Sequence, residues 1–423
     1  MLVRIREKVR ASLNELPNYT CRQRIERTRL SGEANRQRGR RRQNSVGRES
    51  IYAPLDSTDA LEVEVALVDG KELYSWPGAD GFENRALSEI VGFGMVGTGD
   101  FAQQVRALFL NNVGRLDYTG EETIGGRRTL RYDFQVSLFM SRLTVSDGTN
   151  QATVPYAGSF WADAETAGLI RLEVRTENVA PPLNITGTLT QVEYAGVTLG
   201  EGEFLLPLSA RLATNFRGGE TSVNSTDFRD CRSFGAESLL SFDAADSDAA
   251  VESSLALEEF SLPAKTSLTV RLDAEINSES SVAGDRIQAT LASEVKRDGV
   301  VLAPKGSLLI GRIRRLERFT DPKNHFIVGI EFTELQTPNR RARVAAELVH
   351  VTRFGGLVDR FGEERVNYQR QGGGLAGQGL ERTTVESYGT ASLPGTSELY
   401  VQASRLRIPR GLRMVWRTLA ADE

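Results

Sequence analysis

The sequence predicts a mainly β (α+β) protein: a curved antiparallel half-barrel with packed helices, followed by a second antiparallel, barrel-like β domain. Three observations carry this. Apolar residues alternate with polar ones at period two. Leu61, Val63, Val65 and Leu67 do so in LEVEVALV, Leu130, Tyr132, Phe134 and Val136 in RTLRYDFQV, and Ile170, Leu172 and Val174 in LIRLEVR. Such alternation gives strands one buried and one wet face, as antiparallel sheets have. Turn formers punctuate the runs at VDGK (68–71), IGGR (124–127), SDGT (146–149) and APP (180–182). Helical spacing marks two short stretches.

The first of these is residues 1–15, where Leu2, Ile5, Val9 and Leu13 recur among charges. This is an amphipathic helix and not a signal peptide, because no continuous apolar segment is present. A first β domain then spans 16–242. Within it, residues 101–111 form the second helix, with Phe101, Val105 and Leu108 as its stripe and Asp100 and Gln103 as a capping-box-like start. Residues 243–260 are acidic, rich in Ala and Ser, and read as a linker. The second β domain covers 261–423, interrupted by a glycine-rich loop at 371–379. No period of 20–50 residues repeats, which argues against a solenoid or propeller.

The chain has 423 residues, 40% of them hydrophobic and 26% charged, and suits folded domains. A formal net charge of −4 offers no global attraction to nucleic acid. No apolar run approaches the ~20 residues of a membrane-spanning helix. Read literally, the N-terminus predicts a cytoplasmic protein; a start placed too late, or a leader missing from this sequence, is the alternative. The two cysteines, Cys21 and Cys231, are either two free buried thiols or one disulfide. Both lie in strand-like segments that open and close the first domain, and this favours the bridge. A bridge implies an oxidising compartment.

GFGMVGTGDF (92–101) matches the glycine spacing of a dinucleotide fingerprint. The apolar strand before it is too short, however, and the best helix cap, Asp100, follows the last glycine and would repel a phosphate. It reads as a glycine-rich hinge into the helix, with no cofactor expected. His325 and His350 have no ligand-spaced partners, so no metal site is expected. The carboxylates Asp163 with Glu165, and Glu121 with Glu122, are the pairs a glycan hydrolase would need; turn carboxylates are usually solvated. The arginines between 36 and 48 lack interleaved aromatics and read as a solvated loop, not a nucleic-acid site. Trp76, Phe82, Phe93, Phe109, Phe160 and Trp161 cluster near glycine turns and strand ends, either as ordinary core or around an apolar cavity.

GSFWADAETAGLIRLEVRT resembles the strand–turn–strand pattern W-x-D-x-x-T-x-x-x-x-R of the LolA/LolB/RseB-like envelope proteins, with Trp161, Asp163, Thr166 and Arg171 in its places. YTCRQRIERTR and LEVEVALVDGKELYSWPG extend the resemblance over roughly 16–242. It implies an incomplete barrel closed by helices over an apolar cavity, and a non-enzymatic, periplasmic or outer-membrane-associated binder of a lipid or acylated ligand. On that reading Trp76, Phe82, Phe93, Phe101 and Trp161 contact the ligand; the structural disulfide Cys21–Cys231 is expected from the strand pattern above and not from the resemblance. AGDRIQATLASEVKRDGVVLAPKGSLLIGRIRRL is similar to the C-terminal β-barrel of TrbI-type channel proteins, through Gly284, Ala289, Val295, Pro304, Lys305, Gly306 and Gly311. It implies a β-barrel fold; the expected role is a scaffold or docking module, with an envelope protein partner possible. A ligand-free assembly component and a carboxylate-based envelope-glycan hydrolase are the alternatives.

Overall fold

The computed structural model describes residues 1–32, 56–68, 71–79, 81–85, 87–91, 101–111, 113–147, 149–233, 258–297, 299–320, 324–357 and 396–420, without the side chains of 101–103. The arginine run, the stretch 92–100 with Phe93, residues 243–257 of the acidic segment and the loop 371–379 lie outside the described residues. The chain divides into two units: Met1–Thr58 with Glu62–Asp243, and Asp59–Leu61 with Ala244–Glu423.

The first unit contains, in chain order, α1 (Leu2–Asn14), β1 (Tyr19–Leu30), β2 (Ser57–Val68), β3 (Lys71–Ser75), α2 (Leu87–Val91), α3 (Phe101–Phe109), β4 (Arg115–Ile124), β5 (Arg127–Val136), β6 (Thr144–Ser146), β7 (Gln151–Thr153), β8 (Tyr156–Asp163), β9 (Leu169–Thr176), β10 (Ile185–Leu199), β11 (Gly202–Phe216) and β12 (Thr221–Ser233). The pairings give one open sheet in the order β3-β2-β1-β12-β11-β10-β9-β8-β5-β4. Short turns between successive strands dictate antiparallel neighbours. At IGGR, Gly125 and Gly126 have φ of +56° and +79°, the pair of positive values that a tight two-residue hairpin turn requires. The alternation expected in LIRLEVR is shifted by one bulge. Ala162 pairs with Leu169 and Trp161 with Arg171, so Leu169, not Ile170, joins Leu172 and Val174 in the core.

β1 and β12, far apart in sequence, are antiparallel neighbours. Cys21 and Cys231 form a disulfide across them, with Cα atoms 4.1 Å apart. The register slips here, and Asp230 takes a left-handed φ of +52°. The two thiols are therefore paired, as the strand patterns favoured.

The second unit contains β13 (Glu258–Glu259), β14 (Ser267–Leu272), β15 (Ile276–Asn277), β16 (Arg286–Leu291), β17 (Val295–Arg297), β18 (Val300–Ala303), β19 (Leu308–Phe319), β20 (His325–Gln336), β21 (Arg340–Arg343), β22 (Ala346–Val351), β23 (Thr396–Val401), β24 (Arg407–Ile408) and β25 (Arg413–Thr418). Its main ladder runs β22-β25-β14-β16-β19-β20-β23 and is antiparallel throughout. Among the described residues the outer strands are linked through a side chain: the Leu348 N–H donates to Ser397 Oγ at 2.8 Å. The core includes Trp416, which meets Phe332 edge-on at 4.9 Å. Gly311 serves a close approach, because a Cβ there would sit 2.0 Å from the Glu331 carbonyl oxygen. Gly306, at φ +92°, turns the chain after Pro304. On the face away from the core, Arg315 reaches across Gly329 to Glu398 (2.8 Å) and also binds Glu317.

Candidate functional site

Residues directly opposite one another in a ladder share a face, so the registers define two faces of the first sheet. One carries Leu130, Tyr132, Phe134, Phe160, Leu172, Val174 and Val192, and α1 and α3 lie on it. From α1 come Ile5, Val9 and Leu13, and from α3 Val105, Leu108 and Phe109. Phe109 meets Phe160 edge-on at 5.0 Å, and Tyr132 stacks on Phe160, also at 5.0 Å. Gly158 leaves room for this layer: a Cβ would meet Phe134 Cζ at 2.5 Å and the Glu173 carbonyl oxygen at 2.0 Å.

Polar ties of α1 add to this packing. Arg10 Nε donates to the Phe109 carbonyl (2.6 Å), Lys8 Nζ to the Thr166 carbonyl (3.1 Å), and the Leu205 N–H to Ser12 Oγ (2.8 Å). α1 has 13 residues, no side-chain N-cap, no acid in its first turn and no base in its last. Such a helix is marginal alone in water, so its three buried apolar side chains hold it on the sheet.

The curl of the sheet is recorded in its tyrosines. β10 lies three strands from β1, yet Tyr194 interacts with Tyr19 and with Glu72 of β3. Burial first, and then the Glu72 charge, push the Tyr19 hydroxyl well above the usual phenol range. Burial, Tyr19 and Glu72 do the same to Tyr194. Tyr74 Oη donates to Glu72 Oε2 at 2.6 Å. This polar cluster was not singled out in the sequence; the inward tyrosines follow the strand alternation, but their convergence requires the curl.

The structure describes the side chains of three of the five expected contact residues. Trp76 is buried and Phe82 half-buried at the β3 end. Phe93 lies outside the described residues, and Phe101 opens α3, where only its backbone is described. Trp161 sits on the face opposite the helices, because Phe160 takes the inner position. Its ring lies between the guanidiniums of Arg131 (5.3 Å) and Arg171 (5.7 Å), which flank it in register. Its Nε1 donates to Glu122 Oε2 at 2.9 Å. Arg131 also binds Glu122 (3.0 Å), and Arg171 binds Glu193 (2.5 Å).

The candidate carboxylates are engaged in turns and ion pairs. Asp163 Oδ1 accepts the N–H of Thr166 (2.7 Å) and of Glu165 (2.9 Å), closing the turn into β9. The Thr166 N–H, opposed by burial, and then the Glu165 N–H hold the Asp163 carboxyl below its ordinary range. The bonds from Arg131 and then Trp161 lower Glu122, and Arg128 lies 3.6 Å from Glu121. His325 stacks on Phe319 at 4.7 Å, and His350 belongs to β22. Among the described residues no group of three or more His, Cys, Asp or Glu is placed to hold a metal ion, and no helix is long and apolar enough to cross a membrane.

A second turn aspartate supplies a pH test. Asp147 accepts the N–H groups of Asn184 (2.7 Å), Asn150 (2.8 Å) and Thr149 (3.0 Å). These bonds, Asn184 first, bring its carboxyl down to about 2. Because the folded value is depressed, its stabilisation is present above the ordinary value of 3.8 and is lost as pH falls towards 2. Thermal melts of wild type and Asp147→Asn should therefore differ at pH 6 and converge near pH 2.

No protein-family model and no curated protein matches the chain. Two solved structures are similar in part. A LolA superfamily protein from Nitrosomonas europaea is 11% identical with a TM-score of 0.25, covering 55% of this chain and 92% of that one. A putative outer membrane lipoprotein-sorting protein domain from Vibrio parahaemolyticus is 10% identical with a TM-score of 0.24, covering 54% and 90%. Likeness at this level assigns no shared activity, and the TrbI-like expectation for the second unit finds no counterpart in these matches.

Proposed function

We propose that the first unit binds the acyl part of a lipid or acylated molecule on the inner face of its sheet, as a non-enzymatic protein of the bacterial envelope. The observation that carries this is the character of the cover. α1 and α3 rest on an apolar face through aliphatic and aromatic contacts, beside the polar ties of Arg10, Lys8 and Ser12. Displacing such a helix exposes a continuous apolar strip, and an acyl chain restores the lost burial at about 0.8 kcal/mol per methylene. The disulfide fits an oxidising compartment, and the second unit serves as a docking module for an envelope partner. Filling of the same space by Phe109 and Phe160 favours the second reading, a packed assembly component without ligand.

Native mass spectrometry of protein purified from an envelope fraction, with titration of a fluorescent fatty acid, separates the two. The binding reading expects co-purified lipid or saturable 1:1 uptake in the micromolar range. Lipid-free protein that takes up no fatty acid establishes the packed reading.

A further inference from the structure

The loop between β5 and β6 carries Leu138, Phe139 and Met140 in succession. All three side chains are exposed: Phe139 at 94%, Leu138 at 57% and Met140 at 46%. Phe139 is the most exposed large apolar side chain among the described residues, ahead of Val3 at 68%. A single exposed leucine is ordinary, because folded surfaces are largely apolar. Three in a row, with a phenylalanine almost free of the protein, mark an interaction site.

The tip is held by hydrogen bonds. The N–H groups of Met140 (3.1 Å) and Ser141 (2.9 Å) both donate to the Ser137 carbonyl and close one helical turn. Ser141 is buried and fastens that turn: its Oγ donates to the Val154 carbonyl (2.6 Å) and accepts the Leu143 N–H (3.1 Å). The Val154 N–H returns to the Leu143 carbonyl (3.0 Å). Val145 and Val154 then join Val179, Leu183 and Ile185 in a small apolar cluster, with Leu143 packed against it. The base of the loop is therefore anchored, while its tip presents apolar side chains to water.

Geometry and charge choose the partner. Successive side chains on a helical turn point about 100° apart, so Leu138, Phe139 and Met140 fan outward from the tip. A rigid groove on a partner protein would receive one such side chain; a fluid lipid interface receives all three. Residues 134–146 contain no carboxylate, and the exposed Arg142 is their one charged group. A cation beside apolar residues suits an anionic bilayer, where attraction to the head groups adds to apolar burial.

We propose that this tip inserts into the interface of an anionic lipid bilayer, with Phe139 deepest and Arg142 at the head groups, and so anchors the first unit peripherally. The tip residues take no part in the core beneath α1 and α3, so insertion does not depend on acyl binding there.

Flotation of the full chain with vesicles tests this, using phosphatidylcholine alone and an equal mixture with phosphatidylglycerol. The wild type is expected to float with the mixed vesicles. The triple variant Leu138→Ser, Phe139→Ser, Met140→Ser should bind them about tenfold more weakly or worse, since interfacial affinity follows buried apolar area. Its fold, checked by circular dichroism, should be unchanged, because the three side chains are exposed. Phe139→Trp is a second variant that reports depth. Its emission should shift to the blue on the mixed vesicles and be quenched by lipids brominated along the chain. The native Trp76, Trp161 and Trp416 are buried and should not respond. A wild type that floats with neither vesicle overturns insertion and leaves the tip to a protein partner. Undiminished flotation of the triple variant also overturns it, as does unshifted, unquenched emission from vesicle-bound Phe139→Trp protein. Equal binding to both vesicle types overturns the head-group role of Arg142. The fatty-acid titration reads a different site, so acyl binding and membrane insertion can fail separately.

Discussion

Reduction of the disulfide, or the double substitution Cys21→Ala and Cys231→Ala, is expected to destabilise the first unit on the order of 5 kcal/mol. The bridge spans 210 residues of sequence, and cross-linking so long a loop removes much entropy from the unfolded chain on the loop-closure account. In the native sheet β1 and β12 are already hydrogen-bonded neighbours from Tyr19–Ser233 to Leu30–Thr221. The bridge therefore adds little native contact and acts chiefly on the unfolded state. Guanidinium unfolding of oxidised and reduced protein, followed by separate probes in each unit, measures the effect. The first unit's midpoint should fall steeply, while that of the second, which contains no cysteine, stays put. Equal midpoints for the first unit would show that the bridge does not limit the unfolded chain.

Phe109→Ala is expected to cost about 3–5 kcal/mol, the usual range for removing a fully buried phenylalanine. Phe109 is fully buried at the end of α3, and its ring lies edge-on to Phe160, on which Tyr132 stacks. Its carbonyl also receives Arg10 of α1, so the residue joins both helices to the sheet. Truncation opens a cavity lined by aromatic and aliphatic groups, and such cavities stay dry and accept apolar guests. The variant should therefore unfold at lower denaturant and be restabilised by dodecanol more than the wild type is. Loss of stability without that rescue would mean that the space beneath the helices is closed to ligands.

Strand, turn and helix positions were legible because they depend on local chemistry. Leu130, Tyr132, Phe134 and Val136 alternate in sequence and line one face in space. Ile5, Val9 and Leu13 recur at helical spacing and are the buried residues of α1. The glycine pair 125–126 turns where its lack of Cβ allows. The cysteine pairing was legible in part, from two strand-like segments at the ends of one domain.

The candidate site was less legible. Trp161 stands next to Phe160 in sequence, and composition puts both among cavity aromatics. In a strand adjacent residues face opposite ways, and one bulge between β8 and β9 sets which partners each meets. Asp163 has the appearance of a catalytic carboxylate until the turn shows its oxygen held by two N–H groups.

The β architecture, the helices α1 and α3 and the turns could be read from the sequence, because period and backbone freedom act over a few residues; the short helix α2 (Leu87–Val91) carries too few residues for a period to show. The tertiary structure alone decided which face each strand turns inward and which side chains, distant along the chain, converge. Register, bulges and the curl that brings Tyr19, Glu72 and Tyr194 together are set by long-range pairing, which no local pattern encodes.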